Sequence, residues 1–266
     1  ERHIAIVLAN YPNRDGRLGN GVGLDTPASV VGTLEALAAH GYDVSDMPAD
    51  GDDLIARLQA GPTNEGTKGR KIEAVLSLRE YERAFDALPK PVRLKISERW
   101  GAPAADPFFL ADRDGFAVSA VRCGNLVIGL QPARGYNIDP QASYHDPDLA
   151  PPHGYLAFYI WLRECFGADA VIHFGKHGNL EWLPGKALAL SADCLPEAVF
   201  GPIPHLYPFI VNDPGEGAQA KRRAQAVIVD HLTPPLTRAE SYGPLAELEL
   251  LVDEYFEASG VDPRRC

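Results

Sequence analysis

The segment 173–186 reads HFGKHGNLEWLPGK and holds two histidines, a glutamate and two lysines, with Gly175, Gly178, Pro184 and Gly185 set among them. Those glycines and the proline keep most of it out of regular helix or strand. It follows ADAVI at 168–172, an apolar run of strand length. A polar loop at the carboxyl end of a strand is where open α/β sheets place their ligand sites. Histidine and glutamate bind borderline divalent metals and move protons near neutral pH. His173, His177 and Glu181 are therefore candidate metal ligands, and the same three are candidate catalytic groups. Their order, His-x-x-x-His-x-x-x-Glu broken by glycine, is not the His-Glu-x-x-His helix of a zinc protease. A structural origin also fits, since Glu181 ahead of Trp182 and Leu183 matches the polar side of an amphipathic turn.

Three other segments carry polar groups in suggestive places. Residues 10–26, NYPNRDGRLGNGVGLDT, join a strand to a helix through a glycine-rich turn. Such a turn can cradle an anion at a helix N-terminus, or simply need positive φ values. It matches neither Gly-x-Gly-x-x-Gly nor a Walker A loop, and Gly185-Lys186 is followed by Ala187 rather than Ser or Thr. No nucleotide site is expected. The loop from Pro132 to Gly154 contains Arg134, Tyr136, Asp139, Tyr144, His145, Asp146 and His153; a loop of this length inside a compact domain usually has work to do. His153, after Pro151 and Pro152, also fits a helix start. In NDPGEGAQAKRR at 212–223, Asp213, Pro214 and Glu216 suit an N-cap, a first helical residue and a capping-box glutamate, and Lys221, Arg222 and Arg223 suit ligand carboxylates or a solvated helix face.

Composition narrows the class. The 266 residues are 45% hydrophobic with a net charge of −11, enough apolar content for a core and the wrong sign for nucleic acid. No apolar run approaches the ~20 residues of a membrane span. The first residues look like a strand rather than a signal peptide. Cys123, Cys165, Cys194 and Cys266 are scattered with no Cys-x-x-Cys pair, so a reduced, cytoplasmic protein is expected. The sequence reads as an internal portion of something longer.

The elements that must hold these groups follow from pattern. Strands are expected at His3–Leu8, from Tyr42 to Val44, at Asp169–Phe174, Phe209–Val211 and Ala226–Val229. Gly115–Arg122 and Leu126–Leu130 read as a hairpin about a Gly-Asn turn. Helices are expected at Pro27–His40 with Thr26 as N-cap, Asp52–Gln59, Ser77–Leu88, Pro91–Trp100, Tyr155–Phe166, around Lys221, and at Pro244–Ala258. Strands alternating with helices predict an α/β class with mainly parallel sheets flanked by helices. Gly101–Pro107 reads as a boundary between two α/β lobes: 1–107 with the glycine-rich loop, and 108–266 with the His/Glu loop and NDPGEG.

Together NYPNRDGRLGNGVGLDTPAS, QPARGYNID, YHDPDLAPPHGYLAFYIWLR, HFGKHGNLEWLPGK, YPFIVNDPGEGAQAKRRAQAVIVDHLTPPLTRAE and LLVDEYFEA resemble the large-subunit family of the aerobic, ATP-dependent cobaltochelatases, to which the porphyrin-binding H-type component of magnesium chelatase is related. The resemblance covers nearly the whole chain. It implies insertion of Co²⁺, as substrate metal, into hydrogenobyrinic acid a,c-diamide during cobalamin biosynthesis. It implies ATP and Mg²⁺ used by partner subunits of AAA+ ATPase and metal-adhesion type, not by this chain. Metal insertion strips water from a dication and protons from ring nitrogens, work suited to histidine and carboxylate. On that basis Glu181 leads, with His177, His173 and then Glu216 as catalytic groups. Arg134, Lys221, Arg222 and Arg223 are expected to hold ring carboxylates, His153 to line the cleft, and Tyr136, Trp182 and Tyr207 to cover the ring. Other readings are a magnesium or nickel chelatase component, a non-catalytic tetrapyrrole-binding scaffold, and a metal-dependent hydrolase.

Overall fold

The computed structural model describes residues 2–10, 14–21, 24–139, 146–175, 180–208, 214–229, 244, 247, 248 and 250–252. Two compact units are present, 1–231 and 232–266. In the second, the described residues 244, 247, 248 and 250–252 are helical, as the sequence pattern predicts.

The first unit is built in chain order from β1 (Ile4–Leu8), α1 (Thr26–Ala39), α2 (Gly51–Ala60), β2 (Ala74–Ser77), α3 (Leu78–Asp86), α4 (Lys90–Trp100), β3 (Phe109–Leu110), β4 (Gly115–Val118), β5 (Val121–Cys123), β6 (Leu126–Leu130), α5 (His153–Ile160), β7 (Ala170–Phe174), α6 (Leu195–Phe200), β8 (His205–Pro208), α7 (Pro214–Arg223) and β9 (Val227–Val229). The main sheet has the order β5-β6-β1-β7-β8-β9. Every pairing in it is parallel except the β5–β6 hairpin. A second sheet, β2-β4-β3, is antiparallel throughout. The mainly parallel, helix-flanked α/β class expected from the sequence is what forms, with the antiparallel sheet added to it. Residues on both sides of position 107 share the main sheet, because β1 pairs with β6 and β7.

The alternation of β1 assigns its two faces. Ile4, Ile6 and Leu8 pack with Val30, Val31 and Leu34 of α1 and with Leu54 and Leu58 of α2. Ala5 and Val7 pack in the other core with Tyr155, Leu156 and Tyr159 of α5 and with Val171. Burial on both faces explains why β1 and β6 read as continuous apolar runs. The chain leaves β1 for β6 on one side and then crosses to β7 on the other, so strand order reverses at β1. In open α/β sheets that reversal opens a crevice at the carboxyl ends of the strands, here where Asn10 follows β1 and Gly175 follows β7.

Several local expectations shift. Asp25, not Thr26, caps α1, its carboxylate accepting from the Ala28 N–H at 3.1 Å; Thr26 becomes the first helical residue. No strand forms from Tyr42 to Val44; the Asp43 carbonyl instead receives the Asn125 N–H of the β5–β6 turn at 3.0 Å. Gly115–Val118 departs to the second sheet, leaving Val121–Cys123 as the hairpin partner of β6. The strand expected at Phe209–Val211 lies outside the described residues, and β8 ends at Pro208 just ahead of it. Ser77 caps α3 in a full capping box with Glu80.

Gly129 sits in β6 opposite Val7. A Cβ there would stand 2.5 Å from the Ser119 carbonyl oxygen and 2.9 Å from the Phe158 ring. Gly129→Ala is expected to destabilise the protein by about 1–3 kcal/mol, measured as a lowered denaturant midpoint; an unchanged midpoint would show that α5 can shift off the sheet.

Candidate active site at the carboxyl edge of the sheet

Glu181 lies in a single 3-10 turn, Leu180–Trp182, in the loop after β7. This loop has no ladder to satisfy its carbonyls, and Arg223 at the end of α7 supplies the donors. Its guanidinium gives hydrogen bonds to the carbonyls of Glu181 at 2.6 Å, Leu183 at 2.7 Å and Lys186 at 3.0 Å. The basic triplet therefore divides. Lys221 and Arg222 are exposed, while Arg223 is buried and committed to backbone rather than to a ligand carboxylate.

The Glu181 side chain is 2% exposed, and its Oε1 has no hydrogen-bond partner among the described residues. Its carboxyl is pushed up to about 7, chiefly by burial and with help from the charge of Glu216, against a backbone hydrogen bond and the charges of Arg134 and Arg223 that pull it down. Glu216, in the first turn of α7, is thus electrically coupled to Glu181, and Arg134 sits within the same field. Arg134 is itself 1% exposed and donates to the Asp146 carbonyl at 2.8 Å, holding the loop ahead of α5.

His173 points from β7 toward α5. Its Nδ1 lies 2.6 Å from Nε2 of His205, whose Nδ1 lies 2.8 Å from the Ala224 carbonyl. A carbonyl only accepts, so the chain has one direction. His205 donates to Ala224, His173 donates to His205, and Nε2 of His173 accepts the Tyr159 hydroxyl at 3.1 Å. Tyr159 receives the Gln131 amide at 3.1 Å and the hydroxyl of Tyr155. Burial, and for His173 also the neighbouring His205, holds both imidazoles below their ordinary range. With both nitrogens engaged, His173 presents no lone pair to a metal ion in this arrangement. Among the described residues no group of three or more His, Cys, Asp or Glu is arranged to hold a metal; His177 lies outside the described residues.

His153 is buried elsewhere on α5, 2.5 Å from the Tyr81 hydroxyl through Nδ1 and 3.0 Å from the Gly101 carbonyl through Nε2, so it ties α5 to α3 instead of facing Glu181. Trp182 and Tyr136 are half-buried in loops. Tyr207 is buried, its ring stacked on His205 with centroids 5.9 Å apart. Tyr155, Tyr159, Gln131 and His205 escape a reading by motif. Two tyrosines four apart in YLAFYI were the available signal, since a helix buried all round must give its hydroxyls partners.

The whole chain, residues 1–266, matches the CobN/Magnesium Chelatase family. It belongs to that family. It is 67% identical over its full length to an aerobic cobaltochelatase subunit CobN of Sinorhizobium sp, covering 21% of that protein. It is 59% identical to the protein of the same name from Pseudomonas aeruginosa, again covering 21%. It is 36% identical over 94% of its length to the H-type component of magnesium chelatase from Rhodobacter capsulatus, covering 20%. A solved catalytic subunit of cobaltochelatase from Mycobacterium tuberculosis superposes with a TM-score of 0.78 at 47% identity, over 99% of this chain and 22% of that one. The chain thus spans about a fifth of the length of these CobN/Magnesium Chelatase relatives. No helix among its described residues is long and apolar enough to cross a membrane.

The raised Glu181 carboxyl fixes a pH dependence of stability. Below about pH 4.5 it is neutral in both folded and unfolded chains; as pH rises through about 7 the buried group must ionise, and the stability linked to its retained proton is lost. Glu181→Gln removes that loss. The variant is expected to be more stable than wild type by up to about 3 kcal/mol at pH 8 and equal to it near pH 4, as read from denaturant titrations; an equal difference at both pH values would refute it. His173 and His205 act in the opposite direction, lowering stability below about pH 6.5 where the unfolded chain takes up their protons, and cancel in this comparison.

Proposed function

We propose that this chain forms part of the tetrapyrrole site of a cobaltochelatase large subunit and that Glu181 accepts a ring proton when Co²⁺ enters. The observation that carries the reading is a buried carboxylate with an unpartnered oxygen at the switch-point crevice, in a chain 59–67% identical to proteins named cobaltochelatase subunits. Identity to the magnesium-chelatase relatives is lower, 32–36%, which favours cobalt over magnesium.

In this reading the ring, hydrogenobyrinic acid a,c-diamide, lies across the carboxyl edge of the main sheet. Its inner N–H groups must lose protons as the cation replaces them. Glu181, whose proton affinity is raised close to neutrality, takes a proton without needing a strongly basic medium. Arg134 limits the field of the two carboxylates, and Glu216 is the adjacent second carboxylate. Tyr155 and Tyr159, both within the field of Glu181, begin a line of hydrogen bonds to His173 and His205 that holds these side chains in place behind the carboxyl. His177 remains the candidate first ligand for the incoming metal. ATP hydrolysis belongs to AAA+ and metal-adhesion-type partner subunits, in keeping with the missing Walker A loop.

Glu181→Gln in the assembled, ATP-driven complex is expected to lower turnover by about 100-fold or more, with ring affinity within a few-fold of wild type, because the amide keeps the shape and loses the basicity. Normal cobalt insertion by the folded variant removes Glu181 from the chemistry.

A further inference from the structure

The face of the main sheet that carries Ile172 and Phe174 is covered only in part. On the opposite face α5, α6 and α7 pack in turn: Tyr159 and Phe200 lie with Val171, and Ala220 packs on Tyr207. That succession follows from topology. The chain steps from β6 past β1 to β7, then to β8 and β9, always in one direction. Parallel crossovers are right-handed, so steps in one direction leave their helices on one face. The connections among β7, β8 and β9 therefore cannot cover the other face of those strands. Over β1 and β6 that other face is covered by α1 and α2. Among the described residues no helix takes their place over β8 and β9.

The side chains on this bare face are apolar. Register sets Ile172 beside Leu206, Leu206 beside Val227, and Pro208 beside Val229. Ile172 and Leu206 are half-buried, whereas Val227 and Val229 are 61% and 50% exposed. Ile228, between them, turns the other way to Tyr207 and Ala220. An open groove of about 460 Å³ runs alongside, with Ile4, Leu37, Tyr42, Ile172 and Leu206 on its wall. Its charged groups are Arg2 and Asp169, one of each sign. A single exposed valine needs no explanation, but parallel strands occur with both faces covered.

We propose that this face seats an apolar helix of the large subunit's own polypeptide, contributed from outside residues 1–266. Length and charge select that occupant. This chain covers only 21% of the relative to which it is 67% identical, so most of such a subunit lies outside these residues. One cation and one carboxylate leave the groove without net charge, which suits an apolar helix face rather than an acidic or basic partner. Helices are already the covering layer on this side over β1 and β6. One more, laid beside α1, would extend that layer across β8 and β9 and send its side chains into the groove next to Leu37.

The test uses the isolated full-length large subunit. In Val227→Cys, which keeps the side chain small, the thiol is expected to react with a maleimide at least about 100-fold more slowly in the folded subunit than in urea, because a covered thiol reacts only through local opening. Reaction at the unfolded rate in the isolated subunit overturns the proposal, even where assembly with partner subunits then slows it. The occupant is read separately, in wild type grown with the photoreactive diazirine analogue of leucine. Leu206 is expected to cross-link to a segment of the same polypeptide outside residues 1–266 that carries apolar residues at helical spacing. Mixing subunits of light and heavy nitrogen distinguishes that segment from one on a second copy. Cross-links from Leu206 that reach only residues 1–266, that join two copies, or that never form all overturn the proposal. Val227→Asp is expected to lower the melting temperature of the subunit by several degrees; an unchanged value would mark Val227 as an ordinary surface residue and overturn it likewise.

Discussion

The grip of Arg223 on three carbonyls is the constraint on which the site depends. Residues 180–186 contain one turn of 3-10 helix and no ladder partner, and while the Leu180 and Pro184 carbonyls accept from backbone N–H groups, the others need a donor from elsewhere. A single guanidinium at the end of α7 answers three of those carbonyls, each a charge-assisted bond of roughly 1.5–3 kcal/mol. This fixes the backbone of Glu181 while leaving its carboxyl without a partner for Oε1. A buried carboxylate left in this way is costly in a purely structural setting, and its cost is what raises its affinity for a proton.

The sheet supplies the second half of that arrangement. Because β1 is central and the chain reverses direction around it, the loops after β1 and β7 meet at one edge. Alternation along β7 then sends Val171 and His173 to the α5 face and Ile172 and Phe174 to the α1 face. The same period-two logic that builds the core thus delivers His173 to Tyr159. The resulting chain of hydrogen bonds has every donor matched to an acceptor and ends on a carbonyl, so its polarity is fixed as long as both imidazoles stay neutral.

Much of this was legible in the residues. The α/β class followed from strands alternating with helices, and the HFGKHGNLEWLPGK loop stood out because its glycines and proline forbid regular structure where its polar groups cluster. The helix ends expected at Pro27–His40, Asp52–Gln59, Ser77–Leu88 and Pro91–Trp100 agree with the structure to within two residues, while α6 at Leu195–Phe200 was not anticipated. Less visible was the direction of side chains. Arg223 looked like its exposed neighbours Lys221 and Arg222, and only packing turns it inward. His205 carries no motif, and its partner His173 is 32 residues away. Tyr42–Val44 has strand-forming residues at its ends, but the Asp43 carbonyl is taken by the turn between β5 and β6 and not by a ladder. Thr26 and Asp25 both suit a cap, and nothing local decides between them.

The junction of Arg223 and Ala224 has a mechanical meaning. One residue clamps the Glu181 loop and the next accepts the last proton of the histidine chain. Loop position and imidazole polarity are thereby geared to a single helix end. Any displacement of that helix end would loosen the clamp and the terminal acceptor together, without any contact at the carboxylate itself.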